Sequence, residues 1–176
     1  MPTWNKRGLR GSILEEIVNR TNLFYKDSNL ALIQKIPTPI IPVEYAKETH
    51  QIKLAYFEKK STVDYIGAVQ GIPVCFDAKE CNSDRFRLNN IHTHQFEFMK
   101  CFEEQEGVAF VLIYFTSIEK FYYMRFKELE FIYKRYQNGE IKSFKIDELD
   151  EEFFLKYNSL GYIEYLEGVS KDLSKR

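Results

Sequence analysis

From Ser12 onward the apolar positions Ile13, Leu14, Ile17 and Val18 recur at helical spacing, and Ser12 with Glu15 forms the S-x-x-E signature of a helix start. The pattern predicts a helix from about Ser12 to Lys26. Leu30 to Ile36 alternates toward strand and stops at Pro37-Thr-Pro39, where two prolines force an extended exit. Val43 to Tyr45 and Ile52 to Phe57 are short strand candidates separated by a polar stretch, which predicts a hairpin projecting from the body at about 40–57, with Pro42 admitting only edge or irregular pairing. Thr62 to Val69 and Ile72 to Lys79 flank Gln70-Gly71 and read as a tight hairpin. Ile91, Gln95, Phe98, Met99 and Phe102 give helical spacing over 92–104, and Val108 to Phe115 is an unbroken apolar run of the kind buried on both faces of a sheet. Phe121 to Phe126 reads as a further strand. Lys127 to Gln137 carries Leu129, Ile132, Tyr133 and Tyr136 on one side and ends at Asn138-Gly139, which predicts another helix. This succession predicts an α/β architecture, helices around a mixed sheet, in one unit over 1–176.

Composition sets bounds on this picture. Hydrophobic residues make up 44% of the 176 positions and aromatics 16%, enough for one globular core. With 25 Lys and Arg against 26 Asp and Glu, the bulk charge steers no polyanion, so any nucleic-acid contact falls to local patches. Lys6, Arg7 and Arg10 form one such patch and Lys59 with Lys60 another, while Asp147, Glu148, Asp150, Glu151 and Glu152 crowd together. Cys75, Cys81 and Cys101 are odd in number and lack a CxxC pair, which argues against disulfides and a zinc knuckle and for a reducing cytoplasm. No run approaches the ~20 apolar residues of a membrane span, so neither secretion nor membrane insertion is expected.

Chemistry concentrates in the second hairpin. Asp64 opens one strand and Asp77-Ala78-Lys79 lies on the next. Side chains two apart on a strand share a face, so Asp77 and Lys79 point the same way, and pairing brings Asp64 alongside them. Two carboxylates beside an ammonium suit phosphodiester hydrolysis: the carboxylates hold a hard cation such as magnesium, and the lysine orients the attacking water or stabilises the transition state. On spacing alone the triplet is a weak signal, because charged residues at strand ends are mostly solvated surface. The strand around it sharpens the signal, since Ile72-Pro-Val-Cys-Phe is apolar until it delivers Asp77, with Lys79 and Glu80 close behind. His92 and His94, two apart on the predicted helix, fall on different faces, which argues against a zinc site.

These residues lie in motifs that resemble those of RecU-type Holliday-junction resolvases. The motifs are Thr62-Val-Asp64-Tyr65-Ile-Gly67, Phe76-Asp77-Ala78-Lys79-Glu80 and His92-Thr-His94-Gln95-x-x-x-Met99-Lys100, preceded by Arg10-Gly11 with Leu14-Glu15 and by Lys35-Ile-Pro37-Thr38-Pro39. The resemblance runs from about Arg10 into the C-terminal region. It implies a restriction-endonuclease-like fold of the PD-(D/E)xK type, with a mixed β-sheet flanked by helices and a projecting β stalk. It further implies a homodimer that nicks two opposed strands of a four-way junction symmetrically, in recombination and repair. The implied catalytic residues are Lys79, Asp64, Asp77 and Glu15. Thr62, Asp64, Asp77 and Gln95 would hold or surround Mg2+, with Mn2+ as the alternative, and Arg10, Lys53, Lys59 and Lys60 would contact DNA. A recombinase or a branch-migration helicase is a candidate partner.

Some assignments stay open at this level. Glu15 also fits as the capping-box partner of Ser12, and Gln95 as a satisfied polar group on an apolar helix. Asp77 stands where relatives more often carry Glu, drawing the carboxylate back by one methylene and favouring either Mn2+ or a shifted backbone. Ile66 replaces an amide often seen there. In the stalk, Lys47, Lys53, Lys59 and Lys60 are offset by Glu44, Glu48 and Glu58. Tyr45, Tyr56 and Phe57 suit either base stacking or a dimer core. Two other readings therefore remain: the same chemistry acting on other DNA, and a catalytically weak DNA-binding or recombinase-regulating protein.

Overall fold

The apolar run Val108–Phe115 becomes β7, the central strand of a six-stranded sheet, seven of its eight residues buried. The structure, a computed structural model, describes residues 12–57 and 62–176. The expectations for Arg10, Lys59 and Lys60 lie outside the described residues. The sheet order is β1 (Ala31–Lys35), β4 (Tyr65–Val69), β5 (Ile72–Cys81), β7, β8 (Lys120–Arg125) and β10 (Phe154–Leu155). Every neighbouring pair is antiparallel except β5 with β7, which run parallel with Asp77 beside Val111 and Lys79 beside Ile113.

Helices cover both faces, as the α/β pattern predicts. On one side, the aromatic rings of Tyr65, Phe76, Phe110 and Tyr123 stack in a row at 4.3–4.8 Å. Helices α1 (Ile13–Asp27) and α4 (Tyr165–Ser174) close over this row: Tyr65 donates its hydroxyl to Asn19 of α1, and Tyr165 of α4 packs on Phe76 and Phe110. On the other side lie α2 (Thr93–Glu104) and α3 (Phe126–Gln137), locked together by Phe96 stacked on Tyr133 at 4.2 Å. Stacked aromatic pairs add about 0.5–1.5 kcal/mol beyond the area they bury, so the row helps to hold neighbouring strands of the sheet in register.

Two glycine positions of the β4–β5 hairpin follow from local geometry. Gln70 and Gly71 adopt φ of +48° and +88°, the left-handed geometry that a two-residue hairpin demands. Gly67 has no room for a side chain, because a Cβ there would lie 2.1 Å from the Leu32 carbonyl oxygen on β1. The predicted projecting hairpin is present as a separate ribbon of β2 (Ile40–Ala46) and β3 (Gln51–Phe57), with irregular register between Pro42 and Tyr45. Its apolar residues stay exposed, Leu54 by 55% and Phe57 by 71%.

Two boundaries differ from the sequence pattern. Phe126 begins α3 and does not end β8. Beyond Asn138-Gly139 the pattern gave no elements, yet the structure has β9 (Ser143–Lys145), paired with β6 (Arg85–Arg87), then β10 and α4. The strands there are two or three residues long, too short to show a period. α4 starts at Glu164 without a side-chain cap, and its apolar face is interrupted at Gly168, where a Cβ would meet the Tyr123 ring at 2.6 Å. No described helix is long and apolar enough to cross a membrane.

Candidate active site

The β4–β5 register aligns Tyr65 with Phe76, so the next pair outward is Asp64 with Asp77. Each carboxylate is tied to the opposite strand: Asp77 Oδ1 accepts the Asp64 N–H at 2.9 Å, and Asp64 Oδ2 accepts the Ala78 N–H at 3.0 Å. These reciprocal bonds orient both groups without a mobile side chain. Lys79, two residues after Asp77 on the same face, places Nζ 3.3 Å from Asp77 Oδ2 and donates to Gln95 Oε1 at 3.1 Å. The expected convergence of Asp64, Asp77, Lys79 and Gln95 is therefore present.

Asp77 is fully buried. Burial pushes its carboxyl up to about 6, against the pull of the Lys79 ammonium and with a further push from the Asp64 charge. Oδ2 is a buried oxygen without a hydrogen-bond partner: Lys79 supplies charge at 3.3 Å but not an aligned N–H. An ionised oxygen held dry in this way calls for positive charge beyond what one lysine gives.

Gln95 sits at the third position of α2, and the same Oε1 that meets Lys79 also accepts the N–H of His92, the N-cap residue, at 3.3 Å. Both readings of Gln95 thus coexist. Thr62 is half-buried two residues before Asp64, ahead of fully buried Val63. The Glu15 N–H donates to Ser12 Oγ at 3.1 Å, which is half of the capping box; the Glu15 carboxylate accepts from Lys35 Nζ at 2.7 Å. Burial, and after it the charges of Glu15 and Asp64, push the Tyr65 phenol up.

The sequence did not reveal the role of Glu80. Its side chain points to the opposite face of β5 from Lys79, and Oε1 accepts the Leu14 N–H at 2.6 Å, capping α1. A residue expected to join a charged cluster instead anchors the first helix to the strand that carries the chemistry; alternation along the strand was the available signal. The two histidines also differ from expectation: their rings stack at 5.5 Å and 8°, because His92 is the N-cap and lies outside the helical spiral. Among the described residues no three His, Cys, Asp or Glu side chains gather as a metal-holding group. Lys53, the one expected DNA contact of the stalk that is described, is exposed on β3.

Comparison with known proteins identifies relatives of the chain. A Holliday junction resolvase RecU of Staphylococcus aureus strain MRSA252 is 38% identical over 169 residues, covering 93% of this chain and 81% of that protein, and the protein of the same name from strain N315 matches to the same extent. The solved structure of the Archaeoglobus fulgidus Holliday junction resolvase Hjc matches 66% of this chain and 75% of its own, with a TM-score of 0.38 and 6% identity. The family model described as "Recombination protein U" matches residues 9–171, and the chain belongs to the RecU family.

Proposed function

We propose that this chain is a structure-selective DNA endonuclease that resolves four-way (Holliday) junctions by metal-dependent phosphodiester hydrolysis. The observation that carries the proposal is the buried, hydrogen-bond-orphaned Asp77 Oδ2 beside Asp64 and Lys79. The named activity of the 38% identical relatives supports it.

The donor set fits a hard divalent cation. Asp64 and Asp77 each commit one oxygen to a backbone N–H and leave the other for an ion, Asp77 Oδ2 now facing Lys79; Thr62 would add a neutral oxygen, and Gln95 would stand around the ion by holding Lys79 through Oε1. Two carboxylates with neutral oxygens and water suit Mg2+, which keeps much of its hydration shell, and Mn2+ fits the same donors. When bound, the cation would supply Lewis-acid stabilisation of charge on the phosphate oxygens. Lys79 would hold the attacking water or the charged phosphate from the protein side, with Gln95 fixing the ammonium at 3.1 Å. Glu15 would approach from α1, its carboxylate steadied by Lys35. Exposed Lys53 on the ribbon, with Arg10, Lys59 and Lys60, would take phosphates of the junction. Two such sites in a homodimer match the near two-fold symmetry of a four-way junction and its two opposed cuts. A recombinase or branch-migration helicase would act on the same substrate.

The test is competition at physiological salt between a labelled four-way junction and linear duplex of equal length, with Mg2+. Paired nicked duplexes should appear from the junction well before the linear DNA is cut. Equal cutting of both would shift the reading to a nuclease of broader substrate, and no cutting of either would leave a DNA-binding or recombinase-regulating role.

A further inference from the structure

The short ribbon of β6 and β9 pairs Arg85 with Lys145, Phe86 with Phe144 and Arg87 with Ser143. Phe86 and Phe144 are buried, their rings stacked at 5.2 Å, so the middle pair anchors the ribbon inward. Alternation then turns Arg85, Arg87 and Lys145 outward, where all three are exposed together with Lys142. Among the described residues none of these four cations forms an ion pair with a carboxylate. Arg85 spends one N–H on the neutral Ser143 hydroxyl at 3.0 Å, and Glu148 accepts from the backbone of Lys145. In a chain whose charges nearly cancel, these four cations, three on the ribbon and Lys142 beside it, outnumber the flanking exposed Asp84, Asp147 and Glu148 and form a local basic surface.

This surface is coupled to the catalytic cluster by the chain itself. β6 lies inside the excursion from Lys79 to Gln95, 16 positions apart, whose two ends meet at 3.1 Å. Arg85 and Arg87 line two adjoining clefts: one shared with Tyr136 and Lys142, the other with Glu80, Asn82 and Ser83 at the end of β5. At about 3.3 Å per strand residue, Cys81 lies roughly 7 Å beyond Lys79. Cys81 Sγ in turn donates to the Arg85 carbonyl oxygen at 3.2 Å, which ties the start of β6 to the end of β5.

We infer that the outward face of this ribbon, Arg85 and Arg87 with Lys142 and Lys145, grips the sugar-phosphate backbone of the DNA arm next to the cut. The inference rests on the endonuclease reading above and adds a second anchor, independent of the β2–β3 ribbon. The arginines present forked donors that match phosphate oxygens, and Asn82 and Ser83 offer neutral hydrogen bonds beside them.

The test uses the full chain and a fluorescent four-way junction, with binding titrated without divalent metal across a salt series. Arg85→Gln/Arg87→Gln should weaken binding on the order of ten-fold and reduce the slope of log affinity against log salt by about 2, whereas Lys26→Gln/Lys156→Gln, which removes equal charge from exposed positions elsewhere, should change neither. Arg85→Lys/Arg87→Lys should recover most of the slope, and thermal melting should be the same for all variants. With metal and saturating protein, the cleavage rate of bound junction by Arg85→Gln/Arg87→Gln should stay within about two-fold, since phosphate anchors position the substrate and do not carry the chemistry. Unchanged affinity and slope in Arg85→Gln/Arg87→Gln, or an equal fall in the lysine control, overturns the inference while cutting by the unaltered protein still stands. If the unaltered protein neither binds nor cuts the junction, the endonuclease reading falls and takes this inference with it.

Discussion

Two antiparallel hairpins of the same chain have opposite fates. In β4–β5, Tyr65, Phe76 and Asp77 are fully buried and both outer edges are paired, by β1 and by β7. In β2–β3, Ile41, Leu54 and Tyr56 remain 38%, 55% and 56% exposed, and among the described residues no third strand joins the pair. A lone two-stranded ribbon is marginal in water, and contiguous exposed apolar groups mark a surface meant for a partner. The buried hairpin can hold a costly ionised group because packing fixes it. The exposed one contributes little to the stability of the body, and its side chains remain open to solvent.

That contrast is sharpest under substitution of the buried cluster. Asp77→Asn should reduce junction cleavage on the order of a thousand-fold and Lys79→Ala on the order of a hundred-fold, both with junction binding retained, as measured by single-turnover cleavage and gel-shift titration. Cutting at the unaltered rate by either variant would break the assignment.

The same cluster should cost stability. Because burial lifts Asp77 from 3.8 to about 6, the folded protein holds this proton more tightly than the unfolded chain. Metal-free stability from this group is therefore complete below the unfolded value and is lost as pH rises through that window. Urea unfolding in chelator should find Asp77→Asn more stable than the unaltered protein by about 2 kcal/mol above pH ~6.5, with the gap closing toward pH ~4. An equal gap at both pH values would mean that desolvated charge is not its cause.

The smallest effect on stability belongs to the other hairpin. Leu54→Ser and Tyr56→Ala should change the unfolding free energy by less than about 0.5 kcal/mol, whereas Phe76→Ala, in the stacked row, should cost about 3–5 kcal/mol. A large loss from the ribbon substitutions would show that its apolar side chains pack on the body, and the contrast between the hairpins would fail.

How much of this the sequence disclosed follows the range of the interactions. The capped start of α1, the Gln70-Gly71 turn and the run of β7 rest on local chemistry and were legible, and strand alternation placed Asp77 and Lys79 on one face. Convergence with Gln95 was available only through family motifs, because it depends on how α2 packs across β5. The cap that Glu80 places on α1 spans 66 positions and has no local signature. The β6–β9 ribbon was invisible for the same reason: three residues pair with three others far along the chain, anchored by one Phe pair.

Calorimetric titration of Mn2+ into the unaltered protein and into Asp64→Asn tests most directly whether Asp64 and Asp77 together seat a divalent cation. Saturable heat is expected from the unaltered protein, near one ion per chain, and its loss in Asp64→Asn. Identical heats from the two proteins, or none from either, would contradict it.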